Sequence, residues 1–248
     1  IEAFEGAFVS TILASREIAM RNYGRKIYQP VVSQSERIIG VISGELNRTI
    51  SGGDYVPILQ RFATAAALAL DHVRYQEYLE CILQAASAGS TQAGLKGFFQ
   101  SVEQAVRRIT PDLSAFALWY QDPDSGKIVW GYESGVWDKT NLMLENPEPG
   151  SVIWEVMRAK QPILEENVNR NPLLARRFAR SEKIVSCLAM PLLVDQEEIG
   201  VMFINYRKTH RFSRQEDAVF HLLSDVVAAR IRESVHLSAI SKQHKRLE

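Results

Sequence analysis

A chain of 248 residues, 46% of them hydrophobic and 23% charged, has room for one large domain or two ordinary ones and the composition of a globular protein. Its 29 Lys+Arg balance 29 Asp+Glu, so the basic surplus that marks a nucleic-acid binder is missing and no nucleic-acid partner is expected. Cys81 and Cys187, far apart in sequence, give no disulfide framework, and no apolar run reaches the ~18–20 residues that cross a bilayer.

These features predict a cytoplasmic setting with no membrane partner for this segment. The start, IEAFEGAF, has neither an initiator Met nor a charged signal-peptide region, and the chain is read as a piece of a longer protein.

In chain order, residues 28–42 (YQPVVSQSERIIGVI) read as strand, polar turn and strand, and residues 55 to about 109 as mostly helical with a break near 89–91. Residues 115–120 (AFALWY) and 127–132 (KIVWGY) flank the turn string DPDSG and predict a β-hairpin. Residues 149–160 (PGSVIWEVMRAK) predict a helix with Ser151 as N-cap, its Val152, Ile153, Val156 and Met157 at helical spacing. A short strand at 162–165 and a short basic helix at 172–181 follow. Residues 185–194 and 199–206 flank the turn DQEE as a second hairpin, and from Ser213 the pattern is helical to the end. Ser213 and Glu216 have the spacing of a capping box, in which hydroxyl and carboxylate each take a free backbone N–H. Hairpins with helices before and after them predict an α+β fold.

A repeat search pairs residues 28–42 with 189–202 (AMPLLVDQEEIGVM), with Pro, polar turn and Ile-Gly-Val in register after one inserted residue. The helices behind them correspond as well, Leu59, Phe62, Ala63, Ala66 and Leu70 matching Phe220, Leu223, Ser224, Val227 and Ile231. The first copy lacks the front half of such a domain. Leu237, Ile240, His244 and Leu247 have a/d spacing, suggestive of the start of a coiled coil.

The stretch from GSVIWEVMRAKQPILEENVNRNP through MPLLVDQEEIGVM to FSRQED resembles a GAF domain in the order and spacing of its parts. The resemblance implies a central antiparallel sheet flanked by helices and a small-molecule pocket roofed by loops and a short helix. The expected layout is a partial GAF-like domain at 1–75, connecting helix at 76–110, a complete GAF-like domain at 111–236 and a terminal helix at 237–248.

A search for chemistry finds little. The five histidines, His72, His210, His221, His236 and His244, have no metal-ligand spacing, so no metal is expected. Some GAF-like proteins are thiol enzymes that reduce free methionine sulfoxide, which takes several cysteines. Here Cys187 alone falls in the second domain, on an apolar strand, so no catalytic residue and no enzyme is expected. The Cys-His pair of bilin-binding relatives is missing, and no cofactor is identified. Nucleotide-binding GAF domains carry Asn-Lys, then Phe, then two acids; Asn205, Phe212, Glu216 and Asp217 fall near those places, but Lys208 is displaced. Capping explains the acids better, leaving cyclic nucleotide a weak candidate.

Strand alternation sets Phe116, Leu118 and Tyr120 on one face and Ala117 and Trp119 on the other. Trp119, Tyr132, Trp137, Trp154, Phe178 and Ser186, with Asn205 at the edge, are the expected pocket lining, since aromatics with a polar edge suit planar ligands. Arg176, Arg177 and Arg180 form a basic cluster that suits an anion. The expected function is a sensory module that binds a small molecule, pairs as a homodimer through its helices, and signals to an output domain of the same polypeptide. The alternative is a ligand-free scaffold for dimerisation or docking.

Overall fold

The computed structural model describes residues 19–21, 26–33, 38–45, 55–88, 94–122, 125–138, 147 and 150–247. The chain divides into two units, Ile1–Glu77 and Tyr78–Glu248.

In the first unit β1 (Ala19–Arg21), β2 (Lys26–Val32) and β3 (Ile38–Glu45) form an antiparallel sheet in that order. Helix α1 (Val56–Ala88) begins here, and its Ala63 and Ala67 form a small core with Val31, backed by Ile39, Ile42 and Ala66. Two positions of the helix correspondence proposed from the repeat differ in burial from their counterparts Leu223 and Ile231. Phe62 is 63% exposed and Leu70 50% exposed, because the inward stripe runs through the alanines and leaves both on the outer face.

The second unit is built on a five-stranded antiparallel sheet of β4 (Ala115–Gln121), β5 (Ile128–Ser134), β6 (Ile163–Glu165), β7 (Ser186–Val194) and β8 (Glu197–Tyr206), in the order β5-β4-β8-β7-β6. With the helices around it, this is the α+β architecture expected. Helix α2 (Gly94–Ile109) is amphipathic and buries Phe98, Phe99, Val102 and Val106. Helices α3 (Val152–Ala159) and α4 (Arg177–Ser181) lie between β5 and β7 in sequence, and α5 (Arg214–Leu247) closes the chain. The basic helix expected at 172–181 is thus confined to its last turn and a half. Before it, Asn171 holds a turn instead, its side-chain oxygen accepting from Leu173 N at 3.0 Å.

Each strand presents two unlike rows, as a period of two requires. Leu188, Met190, Leu192, Met202, Ile204 and Phe116 are fully buried, and α5 contributes Val219, Phe220, Leu223, Val227 and Ile231 to the same buried set. Burying side chains of this size is worth roughly 1.5–3 kcal/mol each. The other row carries the smaller residues Ala115, Ala117, Cys187 and Ala189 beside Trp119, Val201 and Phe203. Helix α5 opens with the capping box read from the sequence: Glu216 N donates to Ser213 Oγ at 3.1 Å and Ser213 N donates to Glu216 Oε2 at 2.8 Å. At its far end Leu237 is exposed, and the side chains of Ile240, His244 and Leu247 lie outside the described residues.

Candidate functional site

Small side chains on the sheet floor leave room beneath the helices on that face. The register brings Ala115, Asn205 and Cys187 into one row across β4, β8 and β7, and Ala117, Phe203 and Ala189 into the next. Over this floor lies a cavity of about 560 Å³, roofed by Ser151, Val152 and Ile153 of the α3 end, Leu173, Leu174 and the α4 segment, with Arg176 and Arg177 among its lining. That volume lies in the ordinary range for small-molecule sites, roughly 300–1,000 Å³.

Two polar groups in this lining have no hydrogen-bond partner. Asn205 is 3% exposed and its amide Nδ2 is buried without an acceptor; the Ser151 hydroxyl is likewise buried and unpaired. Ser151 occupies the N-cap position expected of it, with extended backbone, although its side chain makes no cap bond. An unpaired buried polar group costs about 1–3 kcal/mol, which sets these two apart from the other residues that line the cavity.

Of the residues expected to line a pocket, the cavity gathers Trp119, Phe178 and Asn205 and leaves out the other four. Tyr132 is displaced by a bulge: Leu118 pairs with Tyr132 but Trp119 with Trp130, so Gly131 is the extra residue. Tyr132 therefore shares the Phe116 face, its ring 6.1 Å from that of Phe116. Trp137 is 59% exposed and stacks on the Arg207 guanidinium at 3.7 Å. Trp154 turns its indole N–H to Pro147 O at 2.8 Å. Ser186 sits beside Cys187 and so points to the opposite face, where it donates to Glu166 O at 2.6 Å and accepts from His210 N at 2.9 Å.

Sequence reasoning missed Phe203 and Ser151, although Phe203 was within reach, two residues from Asn205 and so on its face. The other residues weighed for nucleotide binding serve structure. Phe212 packs edge-on against Tyr206 and His210, and Lys208 pairs with Asp112 at 2.7 Å. Glu216 is taken up by the cap, and Asp217 lies 3.9 Å from His221 on the exposed side of the helix.

The edge of the roof is fastened by a buried ion pair. Glu182 is fully buried, and its Oε2 accepts from Arg207 Nη2 at 2.7 Å and from Trp137 N at 2.8 Å, while Oε1 accepts from Asp138 N at 2.8 Å. Arg207 also donates to Glu182 O, Ser114 O and Gly135 O. Inside the cavity, burial pushes the Cys187 thiol up to about 12, with Glu165 adding to the shift, so the sulfur is a neutral wall atom at physiological pH. Among the described residues no group of three His, Cys, Asp or Glu is arranged to hold a metal, and no helix is long and apolar enough to cross a membrane.

The family profile of the GAF domain matches residues 92–232. No curated protein matches the sequence. Among solved structures the unit is similar to the GAF domain of a phosphoenolpyruvate-protein phosphotransferase from Coxiella burnetii, at 20% identity and TM-score 0.58, covering 66% of this chain and 98% of that one. It is similar also to the corresponding GAF domain from Acinetobacter, at 12% identity and TM-score 0.54, covering 65% and 97%. A third likeness is to free methionine-R-sulfoxide reductase from Neisseria meningitidis, solved with its substrate, at 16% identity and TM-score 0.52, covering 65% and 91%. That likeness overturns the expectation that the chain is not an enzyme: the same fold carries catalysis elsewhere. At these identities the likenesses establish the fold alone.

Proposed function

The chain belongs to the GAF domain family, and from that premise we propose that its second unit is a regulatory module that binds a small molecule in the cavity and passes the event to α5. GAF domains are generally sensory or regulatory ligand-binding modules. The observation that carries the reading here is the cavity of about 560 Å³, whose lining includes Asn205 from the sheet and Ser151 from the start of α3, each with a buried polar atom that has no hydrogen-bond partner.

Transmission is supported by chain continuity. Asn205 is followed by Tyr206, whose ring stacks on His210 at 4.0 Å, and by Phe212, immediately before the Ser213 cap of α5. A ligand that engages Asn205 in one setting of this segment and not in another shifts the population of helix arrangements. With 34 residues, α5 runs about 51 Å at ~1.5 Å per residue, and in this proposal it leads towards an output domain of the same polypeptide. Pairing of two copies along the helices belongs to the same proposal, supported by the exposed Ile58, Phe62 and Val73 of α1.

Native mass spectrometry of the purified protein, with a thermal-shift screen of metabolites and cyclic nucleotides, tests the reading. A bound small molecule whose removal lowers the melting temperature supports it. A protein that carries nothing and gains stability from no compound is a scaffold instead. Light scattering after size exclusion tests the pairing, and a monomer at tens of micromolar sinks it.

A further inference from the structure

The cavity's charge and polar pattern is one-sided. Among the described lining residues Arg176 and Arg177 are the only ionisable side chains besides the Cys187 thiol, and none is an Asp or Glu. Neither arginine pairs with a carboxylate among the described residues, and both are exposed, which sets them at the outer part of the lining. Asn205 lies at the opposite extreme of burial, on the sheet floor, its Nδ2 a donor without an acceptor. Between them the walls are aromatic and aliphatic: Trp119, Phe178, Phe203, Val152 and Leu174.

Resting on the small-molecule reading above, we infer that the ligand is a flat organic anion, its negative group at Arg176 and Arg177 and a hydrogen-bonding group at its other end meeting the Asn205 side-chain amide. A cation in this site faces two like charges with no carboxylate among the described lining residues to answer them, and its burial against apolar walls is unfavourable. A neutral apolar molecule fills the middle but leaves Asn205 and Ser151 unpaired, and a site with unmet donors discriminates against such a molecule. An anion meets the guanidinium forks, which bind carboxylate, sulfonate or phosphate oxygens in pairs. Aromatic walls favour a planar body over a branched one.

Two dyes with one skeleton separate charge from shape: 8-anilinonaphthalene-1-sulfonate, and N-phenyl-1-naphthylamine, which lacks the sulfonate. Fluorescence titration of the full chain is expected to show the sulfonate bound about tenfold more tightly than the neutral dye. In the double variant Arg176→Ala/Arg177→Ala that advantage disappears while the affinity for the neutral dye stays. Ala117→Phe, which fills the cavity from the sheet floor, abolishes binding of both. Should that variant not melt cooperatively, Ser151→Phe fills the same space from the roof. Equal affinities in the unaltered protein, or an advantage that survives loss of both arginines, overturns the anion assignment and leaves the cavity as a binding site. Dye binding that both filling variants leave intact, or binding of neither dye, overturns the small-molecule reading along with it.

Discussion

The Glu182 carboxylate and the Arg207 guanidinium meet at 2.7 Å with Glu182 fully buried, and the two carboxylate oxygens together accept three hydrogen bonds from donors that cannot reverse. A glutamine at this position keeps the shape but turns an N–H2 group towards Asp138 N, or towards Trp137 N and Arg207. Glu182→Gln is therefore expected to cost about 3 kcal/mol, as breaking one side of a buried pair does. Arg207→Lys is expected to cost about 2 kcal/mol, since an ammonium cannot reach Glu182 O, Ser114 O and Gly135 O together. Urea denaturation checks both. A Glu182→Gln protein within about 0.5 kcal/mol of the parent shows that the pair fastens nothing.

The two hairpins matched in sequence have the same internal register. Val31 pairs with Gly40 and Leu192 with Gly200, and both hairpins shift register one residue later. Their glycines nonetheless differ in what surrounds them. A Cβ on Gly200 would lie 2.1 Å from Trp119 O and 2.8 Å from Tyr120 Cα, because β4 pairs on the other side of β8. At Gly40 nothing lies within 4 Å. Gly200→Ala is expected to cost about 3 kcal/mol or more, since backbone must move, whereas Gly40→Ala stays within about 1 kcal/mol of the parent in either direction. Calorimetry of the two variants separates them; equal losses would mean that the register is not the one described.

This contrast shows how far the sequence could be read. The Ile-Gly-Val match made both hairpins visible, since alternation and turn residues are local. What a third strand does to a glycine is not local, and neither is the bulge at Gly131 that carries Tyr132 to the far face. Trp119, Phe178 and Asn205 were legible as lining because alternation and composition sufficed. Trp137 was not: its place depends on Arg207, seventy residues along the chain. Ser151 was legible as the N-cap because capping is a local rule, but its place in the cavity lining is tertiary and was not.

The Cys187 thiol, raised to about 12 by burial, makes a prediction with a fixed sign. The unfolded thiol ionises near pH ~8.5, so the folded state holds the proton over a window in which the unfolded state has lost it. The stability contributed by keeping this thiol neutral is complete below ~8.5 and is lost as pH rises towards 12, by about 1.4 kcal/mol per pH unit. Between pH 8 and 10 the loss is about 2 kcal/mol. Tyr206, also raised chiefly by burial, steepens the decline only above the ordinary tyrosine range. Urea denaturation of Cys187→Ala over pH 8–10 is expected to lack the part of the slope that begins near 8.5. A variant with the parent's slope removes Cys187 from the account.

Asn205 allows stability and function to be set against each other in one substitution. Its amide nitrogen is buried and unpaired in the free protein, so it costs stability that a ligand's acceptor recovers on binding. Asn205→Leu removes the orphaned donor while keeping the branched outline of the side chain. The free variant is expected to be as stable as the parent or more stable by about 1 kcal/mol, and to lose most of any ligand-induced rise in melting temperature. A purely structural asparagine gives the opposite pair of results: a destabilised free protein and an unchanged shift for whatever still binds. Measuring both quantities on the same variant decides whether this residue was placed on β8 for the fold or for a ligand, and destabilisation beyond about 1 kcal/mol answers for the fold.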